Sequence, residues 1–128
     1  MNIESYAKPL EALIIEDEDD ICYLLSGILK KKNLHTSYVT TLLDAKKVLS
    51  ERNPDILFLD NHLPDGSGVD FISWIKEGHP FIKIVMITAH NDDKTKAFEQ
   101  GADYFIGKPF SSEIINKTVD ILMRTGNV

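Results

Sequence analysis

Short apolar runs alternate with amphipathic stretches along the chain. Runs typical of buried β-strands cover residues 12–15, 36–39, 56–59, 82–87 and 104–106. Apolar side chains recur at helical spacing in the stretches that follow each run, and these predicted helices begin near residues 19, 41, 69, 92 and 111. The pattern therefore predicts five strands that alternate with five helices.

The first predicted helix shows the helical spacing most clearly. Its apolar residues stand at i, i+3, i+4, i+7 and i+8, namely Ile21, Leu24, Leu25, Ile28 and Leu29. Asp19 and Asp20 fall in the first turn and Lys30 to Lys32 in the last turn, where each sign of charge is favourable to the helix dipole. We therefore interpret the lysine run as a solvated helix end and not as a binding patch.

Five buried strands joined by single helices predict an α/β fold. Right-handed crossovers place the helices on both faces of a parallel sheet. Ligands of such sheets bind beyond the carboxyl ends of the strands, near the switch point of the strand order. The polar residues at these ends are Glu16, Asp17, Asp60, Thr88 and Lys108.

Composition narrows the class of protein. The 128 residues suit one domain, and 20 acidic against 14 basic residues give a net charge of −6, which disfavours nonspecific binding to nucleic acid or to anionic membranes. The single cysteine, Cys22, cannot form an internal disulfide, and no signal segment or membrane span precedes the first strand. We expect a cytoplasmic protein with no direct contact to nucleic acid or membrane.

The acidic residues suggest a metal site. Three carboxylates that converge on one sheet edge repel one another, and Mg²⁺ resolves this repulsion because it prefers oxygen ligands and often shares them with phosphate oxygens. Thr88 and Lys108 could then bind a phosphoryl group, with one of the acids as the nucleophile. The residues alone do not show which acid is attacked.

In their order, these residues resemble the receiver domains of two-component response regulators. The resemblance runs from about residue 12 to 123. It is carried by Glu16-Asp17, by Leu-Asp60 with the following His-Leu-Pro-Asp-Gly-Ser-Gly68, by Ile-Thr88-Ala89, and by the segment from Gly101 through Lys108-Pro109-Phe110. Each motif is weak alone, but the ordered set is specific. It implies a flavodoxin-like, doubly wound sheet with the strand order 2-1-3-4-5.

The resemblance also implies a role for each site residue. Asp60 would accept a phosphoryl group from a sensor histidine kinase or a histidine phosphotransfer protein. The ligands of Mg²⁺, or of Mn²⁺, would be Glu16, Asp17, Asp60 and the backbone carbonyl of His62. Thr88 and Lys108 would bind the phosphoryl group, and Lys108 would precede a cis bond to Pro109.

According to the same resemblance, phosphorylation would act on a protein surface. Thr88 and Phe105 would move together, and the surface formed by the fourth helix, fifth strand and fifth helix would change its affinity for a downstream protein or for a second copy of the chain. The domain would not be an enzyme in the usual sense, although it would assist its own phosphorylation and dephosphorylation.

Two histidines depart from the common pattern of this family. His62 stands two residues after Asp60, and His90 stands two residues after Thr88. Imidazoles titrate near neutrality, so we hypothesise that the pair tunes the lifetime of the phosphoryl group with pH. Two solvated loop residues are the alternative. Glu16 and Phe105 also depart from the more frequent Asp and Tyr, without predicting an inactive site.

Simpler roles and different protein classes could also account for the acids. Asp17 and Asp60 could favour the helices that follow them, and we interpret Asp65, Asp70 and Trp74 as turn, surface and packing residues. A phosphatase of the haloacid dehalogenase type needs a second Asp at the position of His62. A flavodoxin would need phosphate-binding N–H groups where this chain has five consecutive acids. The last alternative is an interaction module that is never phosphorylated.

The predicted domain division is simple. Residues 1–9 form a flexible leader, residues 10–124 the receiver domain, and residues 125–128 a C-terminal tail. The cognate kinase, the target and the oligomeric state are not encoded in any motif of the sequence.

Overall fold

The computed structural model describes residues 9–90 and 93–123. The strands of its main sheet are β1 Glu11–Ile15, β2 His35–Val39, β3 Ile56–Asp60, β4 Lys83–Thr88 and β5 Tyr104–Gly107. Its helices are α1 Asp19–Lys31, α2 Leu42–Glu51, α3 Gly68–Gly78, α4 Lys94–Gln100 and α5 Ser112–Met123. Apart from Pro9, the predicted leader and tail lie outside the described residues.

The five strands form one parallel sheet in the order β2-β1-β3-β4-β5. The predicted fold class and strand order are therefore confirmed. The chain runs from β1 to β2 on one side and then returns to β3 on the other, so the switch point lies between β1 and β3. Ile15 aligns with Leu59 in that pair. This register brings Glu16 and Asp60, the next residue of each segment, to the same level of the sheet.

Alternate strand residues supply two apolar cores, one on each face. Leu13 and Ile15 of β1 pack with side chains from α2, α3 and α4, whereas Ala12 and Ile14 pack with side chains from α1 and α5. All four strand residues are nearly inaccessible to solvent. Burial of each large aliphatic side chain is worth about 1.5–3 kcal/mol, so the two cores hold the strand ends in place.

The helix boundaries follow local capping chemistry. The Thr41 hydroxyl accepts a hydrogen bond from Asp44 N (3.0 Å), and the Ser111 hydroxyl accepts one from Ile114 N (3.2 Å). Both begin helices where the sequence predicts them. The apolar stripe of the first helix does not match its buried side at every position: Leu24 is 49% exposed, while Cys22 is buried. Both lie near the edges of the apolar stripe of α1, where spacing alone does not decide burial.

The segment after Asp60 contains a short hairpin that the sequence pattern does not reveal. His62–Leu63 pairs antiparallel with Gly66–Ser67. The sequence predicts only a turn there, because two-residue strands are too short to show an alternating pattern. Among the described residues, no helix combines the length and apolar character that crossing a membrane would require.

Candidate phosphorylation and metal site

The ends of four strands place the predicted site residues at one edge of the sheet. Glu16 follows β1, Asp60 is the last residue of β3, and Thr88 is the last residue of β4. Lys108 follows β5 directly. Parallel strands end on the same side, so their carboxyl ends bring these side chains together as expected.

The carboxylates of Glu16, Asp17 and Asp60 form a compact cluster. One oxygen from each lies within 4.8 Å of the others. Glu16 and Asp60 are 2% and 5% exposed, whereas Asp17 is exposed to solvent. The cluster therefore has a buried side and an open side.

Lys108 is the cation that faces this cluster. Its Nζ lies 2.5 Å from Glu16 Oε1, 3.3 Å from Asp60 Oδ1 and 3.5 Å from Glu18 Oε1. The ammonium and the first two carboxylates are largely shielded from solvent, while Glu18 is mostly exposed. Within residues 9–90 and 93–123, a single positive charge thus faces three carboxylates, and this part of the site keeps an excess of negative charge.

This charge balance shifts two pKa values. Burial raises the pKa of Glu16; its hydrogen bond to Lys108 opposes the shift, and the neighbouring charge of Asp60 reinforces it. Burial alone would lower the pKa of Lys108, but the hydrogen bond to Glu16 and the charges of Asp60, Glu16 and Glu18 outweigh it and raise that pKa. Lys108 therefore remains a full positive charge at neutral pH.

The donor set suits a hard divalent cation. All three clustered groups are carboxylates, which Mg²⁺ and Mn²⁺ bind, and the exposure of Asp17 leaves room for the waters that Mg²⁺ tends to keep. The uncompensated negative charge is the physical reason for a cation here. Glu16, Asp17 and Asp60 are the residues that would hold it, with the carbonyl of His62 as a predicted fourth ligand.

The backbone around Asp60 is crowded on its helix side. A Cβ atom on Gly68 would lie 2.1 Å from the carbonyl oxygen of Asp60. Only a glycine allows α3 to begin this close to the end of β3. The position of Asp60 thus depends on the residue type at the start of α3.

Asn61 is a residue beside the site that the sequence pattern does not single out. It follows Asp60 directly and is only 3% exposed. Its backbone oxygen accepts from Gly68 N (2.9 Å), and its side chain bonds Ser67, Val69 and Asp93. A second polar residue directly after the apolar run 56–59 and Asp60 was the available signal.

Thr88 is fully buried at the end of β4. Its carbonyl accepts from Lys108 N (2.9 Å), and its hydroxyl oxygen accepts from His90 N (3.3 Å). An alcohol can donate and accept at once, so the Thr88 hydroxyl can still donate its proton to another acceptor. The bond from Lys108 to Pro109 is cis.

Phe105 and the two histidines occupy different surroundings. Phe105 is partly buried and packs against the core formed with α2, α3 and α4. The exposed rings of His62 and His90 meet edge to face, with centroids 4.8 Å apart. The structure therefore joins the loop after Asp60 to the loop after Thr88 through these two imidazoles.

Asp65 ties the hairpin to a neighbouring helix. Its carboxylate accepts from Leu42 N (2.8 Å) and Leu43 N (2.9 Å), the first two amides of α2. These backbone donors lower the pKa of Asp65. Asp65 thus does more than form a turn: it attaches the loop after the site to α2.

Asp70 and Trp74 lie on α3 outside this cluster. Asp70 pairs with Lys96 at 2.9 Å on the exposed surface, as its interpretation as a surface residue predicts. Trp74 stacks on Phe71 with ring centroids 5.0 Å apart, consistent with a packing role.

Comparison with known proteins gives a consistent result. Residues 12–120 match the family model described as the response regulator receiver domain. The response regulator protein PilR of Pseudomonas aeruginosa is 34% identical over 119 residues, which are 91% of this chain and 27% of PilR. The phosphate regulon regulatory protein PhoB of Escherichia coli is 33% identical over 116 residues, 88% of this chain and 51% of PhoB. The chain spans about a quarter to a half of these relatives.

Solved structures show the same architecture. A two-component response regulator from Clostridium difficile superposes with a TM-score of 0.87 at 27% identity, covering 93% of this chain and 99% of that one. The beryllofluoride-activated NtrC4 receiver domain dimer gives a TM-score of 0.83 at 36% identity, covering 88% and 94% of the two chains.

Proposed function

Since this chain belongs to the response regulator receiver domain family, we propose that it is a phosphorylation-operated switch with Asp60 as the phospho-acceptor. The donor is the phosphohistidine of a sensor kinase or of a phosphotransfer protein. One observation carries the proposal: the carboxylates of Glu16, Asp17 and Asp60 cluster within 4.8 Å while the Lys108 ammonium lies 3.3 Å from Asp60.

In the proposed transfer, a carboxylate oxygen of Asp60 attacks phosphorus. A bond from that oxygen to phosphorus forms, and the bond from phosphorus to the donor's imidazole nitrogen breaks, so the histidine leaves with its electron pair. Lys108 offers its charge to the phosphoryl oxygens, and the Thr88 hydroxyl donates a hydrogen bond to one of them. Glu16, Asp17 and Asp60 would hold Mg²⁺, which would supply further positive charge to offset the negative charge of the transferred group.

The proposed output surface consists of α4, β5 and α5. As Thr88 turns toward the phosphoryl group, it leaves space that Phe105 enters, and the balance between two arrangements of this surface changes. Phe98 on α4 and Ile121 on α5 are 44% and 50% exposed, which gives the surface apolar contact points. A downstream protein or a second copy of the chain would bind there, without direct binding of nucleic acid or membrane by these residues.

We also assign a rate-tuning role to His62 and His90. Their edge-to-face contact spans the loops that follow Asp60 and Thr88, the two residues on either side of the phosphoryl group. The two rings would limit the approach of water and so lengthen the life of the acyl phosphate. The domain is a signalling module that assists its own dephosphorylation, and its lone cysteine and net acidity suit the cytoplasm.

Incubation with acetyl phosphate, followed by intact-mass measurement, tests the function. We expect Mg²⁺-dependent gain of one phosphoryl group by the wild type, no gain with EDTA, and no gain by Asp60→Asn. Continuous release of phosphate without a labelled intermediate would favour a phosphatase, and co-purified flavin would favour an electron carrier. Equal labelling of wild type and Asp60→Asn would overturn the assignment of Asp60.

A further inference from the structure

The buried side-chain amide of Asn61 joins the loop after Asp60, here called the acceptor loop, to the start of α4. Asn61 Oδ1 accepts hydrogen bonds from Ser67 Oγ (2.8 Å) and Val69 N (2.9 Å), while Asn61 Nδ2 donates to Asp93 Oδ2 (2.6 Å). The two ends of a single side chain therefore contact two different segments of the chain.

The oxygen end of this amide belongs to a rigid region. Ser67 ends the hairpin, Val69 is buried in the first turn of α3, and Gly68 between them donates its N–H to the Asn61 carbonyl. The crowding of Gly68 against Asp60 leaves this region little freedom. Asn61 Oδ1 is therefore fixed relative to the phospho-acceptor.

The nitrogen end contacts a less constrained partner. Asp93 immediately precedes α4 and is only partly buried. An Asp at this position usually accepts a hydrogen bond from its own helix, but the Asp93 side chain makes no such cap. Its carboxylate instead binds Asn61, so it has an alternative partner in the first turn of α4 if the bond to Asn61 opens.

We propose that Asn61 is a positioning residue whose bond to Asp93 latches the start of α4 to the acceptor loop in the unphosphorylated protein and opens on phosphorylation. The proposal rests on the proposed function, in which Thr88 moves toward the phosphoryl group. Asp93 follows Thr88 by only five positions, so that movement displaces the segment that carries Asp93 relative to the fixed side chain of Asn61. Because the bond favours the unphosphorylated arrangement, it opposes phosphoryl binding.

A hydrogen-bond reversal tests the latch. Asp93→Ala removes the acceptor, whereas Asp93→Asn keeps a carbonyl oxygen and serves as its control. Asn61→Asp keeps the oxygen that binds Ser67 and Val69 but loses the donor and faces the Asp93 carboxylate. The double variant Asn61→Asp/Asp93→Asn restores the bond with donor and acceptor exchanged.

The readout is the affinity for beryllofluoride with Mg²⁺, measured by calorimetry and by amide NMR. We expect Asp93→Ala to bind beryllofluoride roughly tenfold more tightly than the wild type. This factor corresponds to one charge-assisted hydrogen bond that stabilises only the free state and that the variant loses. Its free-state amide peaks in α4 and β5 should lie part of the way toward those of the wild-type complex. As a single substitution, Asp93→Asn should change the beryllofluoride affinity little. Added to Asn61→Asp, it should weaken beryllofluoride binding, because the double variant restores the hydrogen bond.

The contrary outcomes are distinct. Unchanged beryllofluoride affinity in Asp93→Ala, with a lower free energy of unfolding, means that the bond is structural in both states and overturns the latch. Weaker binding means that the bond belongs to the activated arrangement, which also overturns it. Failure of the wild type to bind beryllofluoride, or equal binding by Asp60→Asn, contradicts the proposed function itself.

Discussion

Lys108 decides the charge balance at the residue scale. Its ammonium contacts Glu16, Asp60 and Glu18, so it partly neutralises a group of acids that would otherwise repel one another. The five consecutive acids of the sequence therefore have different roles. Glu16 and Asp17 belong to the carboxylate cluster, and Glu18 lies at the exposed edge of that cluster. Asp19 and Asp20 lie in the first turn of α1.

Gly68→Ala tests the close approach between the start of α3 and β3, the strand that ends in Asp60. The added Cβ would meet the Asp60 carbonyl oxygen at 2.1 Å, so backbone must move. We expect a loss of about 1–3 kcal/mol in the free energy of unfolding, the usual cost of overpacking, together with slower phosphorylation. Chemical denaturation and acetyl phosphate labelling measure the two effects.

Gly27→Ala is the matched control in α1. An added Cβ there meets no atom within 4 Å, and alanine is better than glycine in a helix by about 0.5–1 kcal/mol. A gain in stability with unchanged phosphorylation is expected. A Gly68→Ala protein as stable and as reactive as the wild type would show that the crowding has no consequence.

His62→Ala/His90→Ala tests the proposed shielding of the acyl phosphate. Loss of both rings opens the mouth of the site, so phospho-Asp60 should hydrolyse a few times faster than in the wild type. Decay followed by intact mass between pH 6 and 8 measures this, with each single variant as the comparison. Identical decay in all four proteins at every pH would leave the histidines as solvated loop residues.

How much of the site the sequence predicts depends on the residue. Glu16, Asp60, Thr88 and Lys108 each follow or end a strand of the parallel sheet, and parallel strands bring such positions together whatever the details of packing. Asn61 was not predicted, because its importance lies in hydrogen bonds to residues distant in the chain, such as Asp93. Periodicity carries no information on these long-range partners.

At the scale of elements, the loop after Asp60 acts as a junction. Asp65 in its hairpin binds the start of α2, the loop leads directly into α3 at Gly68, and Asn61 before the hairpin bonds Asp93 at the start of α4. A change in charge at Asp60 is therefore applied to a loop that contacts three helices.

Asp65→Ala tests the link to α2. Because its bonds to Leu42 N and Leu43 N lower the pKa of Asp65, the carboxylate stabilises the fold above its unfolded-state pKa, and this stabilisation is lost as pH falls through the lower folded-state pKa. We expect Asp65→Ala to lower the Tm at pH 7 and to differ less from the wild type near pH 3.

Asp65→Asn separates charge from hydrogen bonding. It keeps one oxygen acceptor but has no titratable group. Its difference in Tm from the wild type should therefore be smaller at pH 7 than that of Asp65→Ala, and it should also shrink in acid. A constant difference in Tm across this pH range for Asp65→Ala would contradict a role for the ionised carboxylate. Thermal unfolding followed by circular dichroism gives both profiles.

The sequence predicted the elements well where apolar periodicity was strong. Five strands and five helices appear near the expected residues. The expectation that all five strands are buried was wrong for two of them: β1, β3 and β4 are almost entirely buried, whereas β2 and β5 are mostly partly buried or exposed because they lie at the edges of the sheet. The hairpin at His62–Leu63 and Gly66–Ser67 was missed because its pairing follows from turn geometry and from Asp65, not from a hydrophobic pattern.

At the scale of the molecule, stability and function lie in different regions. Two apolar cores hold the sheet from both faces, while the carboxyl edge keeps a cluster of acids that opposes folding. An unfavourable charge cluster on an otherwise well-packed domain is typical of a functional site, and it agrees with the proposed binding of a cation and a phosphoryl group there.

Mg²⁺ should therefore stabilise the whole domain. A ligand that binds only the folded state adds about 1.4 kcal/mol to the free energy of unfolding at tenfold its dissociation constant. We expect a concentration-dependent rise in Tm for the wild type and a much smaller one for Asp17→Asn, whose exposed side chain makes folding defects minimal. An equal rise in both proteins would place the cation elsewhere.

Chemical mapping of the phosphorylated residue tests the central claim most directly. Borohydride reduces an aspartyl phosphate to homoserine, so peptide sequencing by mass spectrometry after labelling and reduction identifies the acceptor. Homoserine at position 60, formed only with Mg²⁺ and phosphoryl donor, is the predicted result. Homoserine at position 17, or at no position in a labelled protein, would contradict the assignment of Asp60.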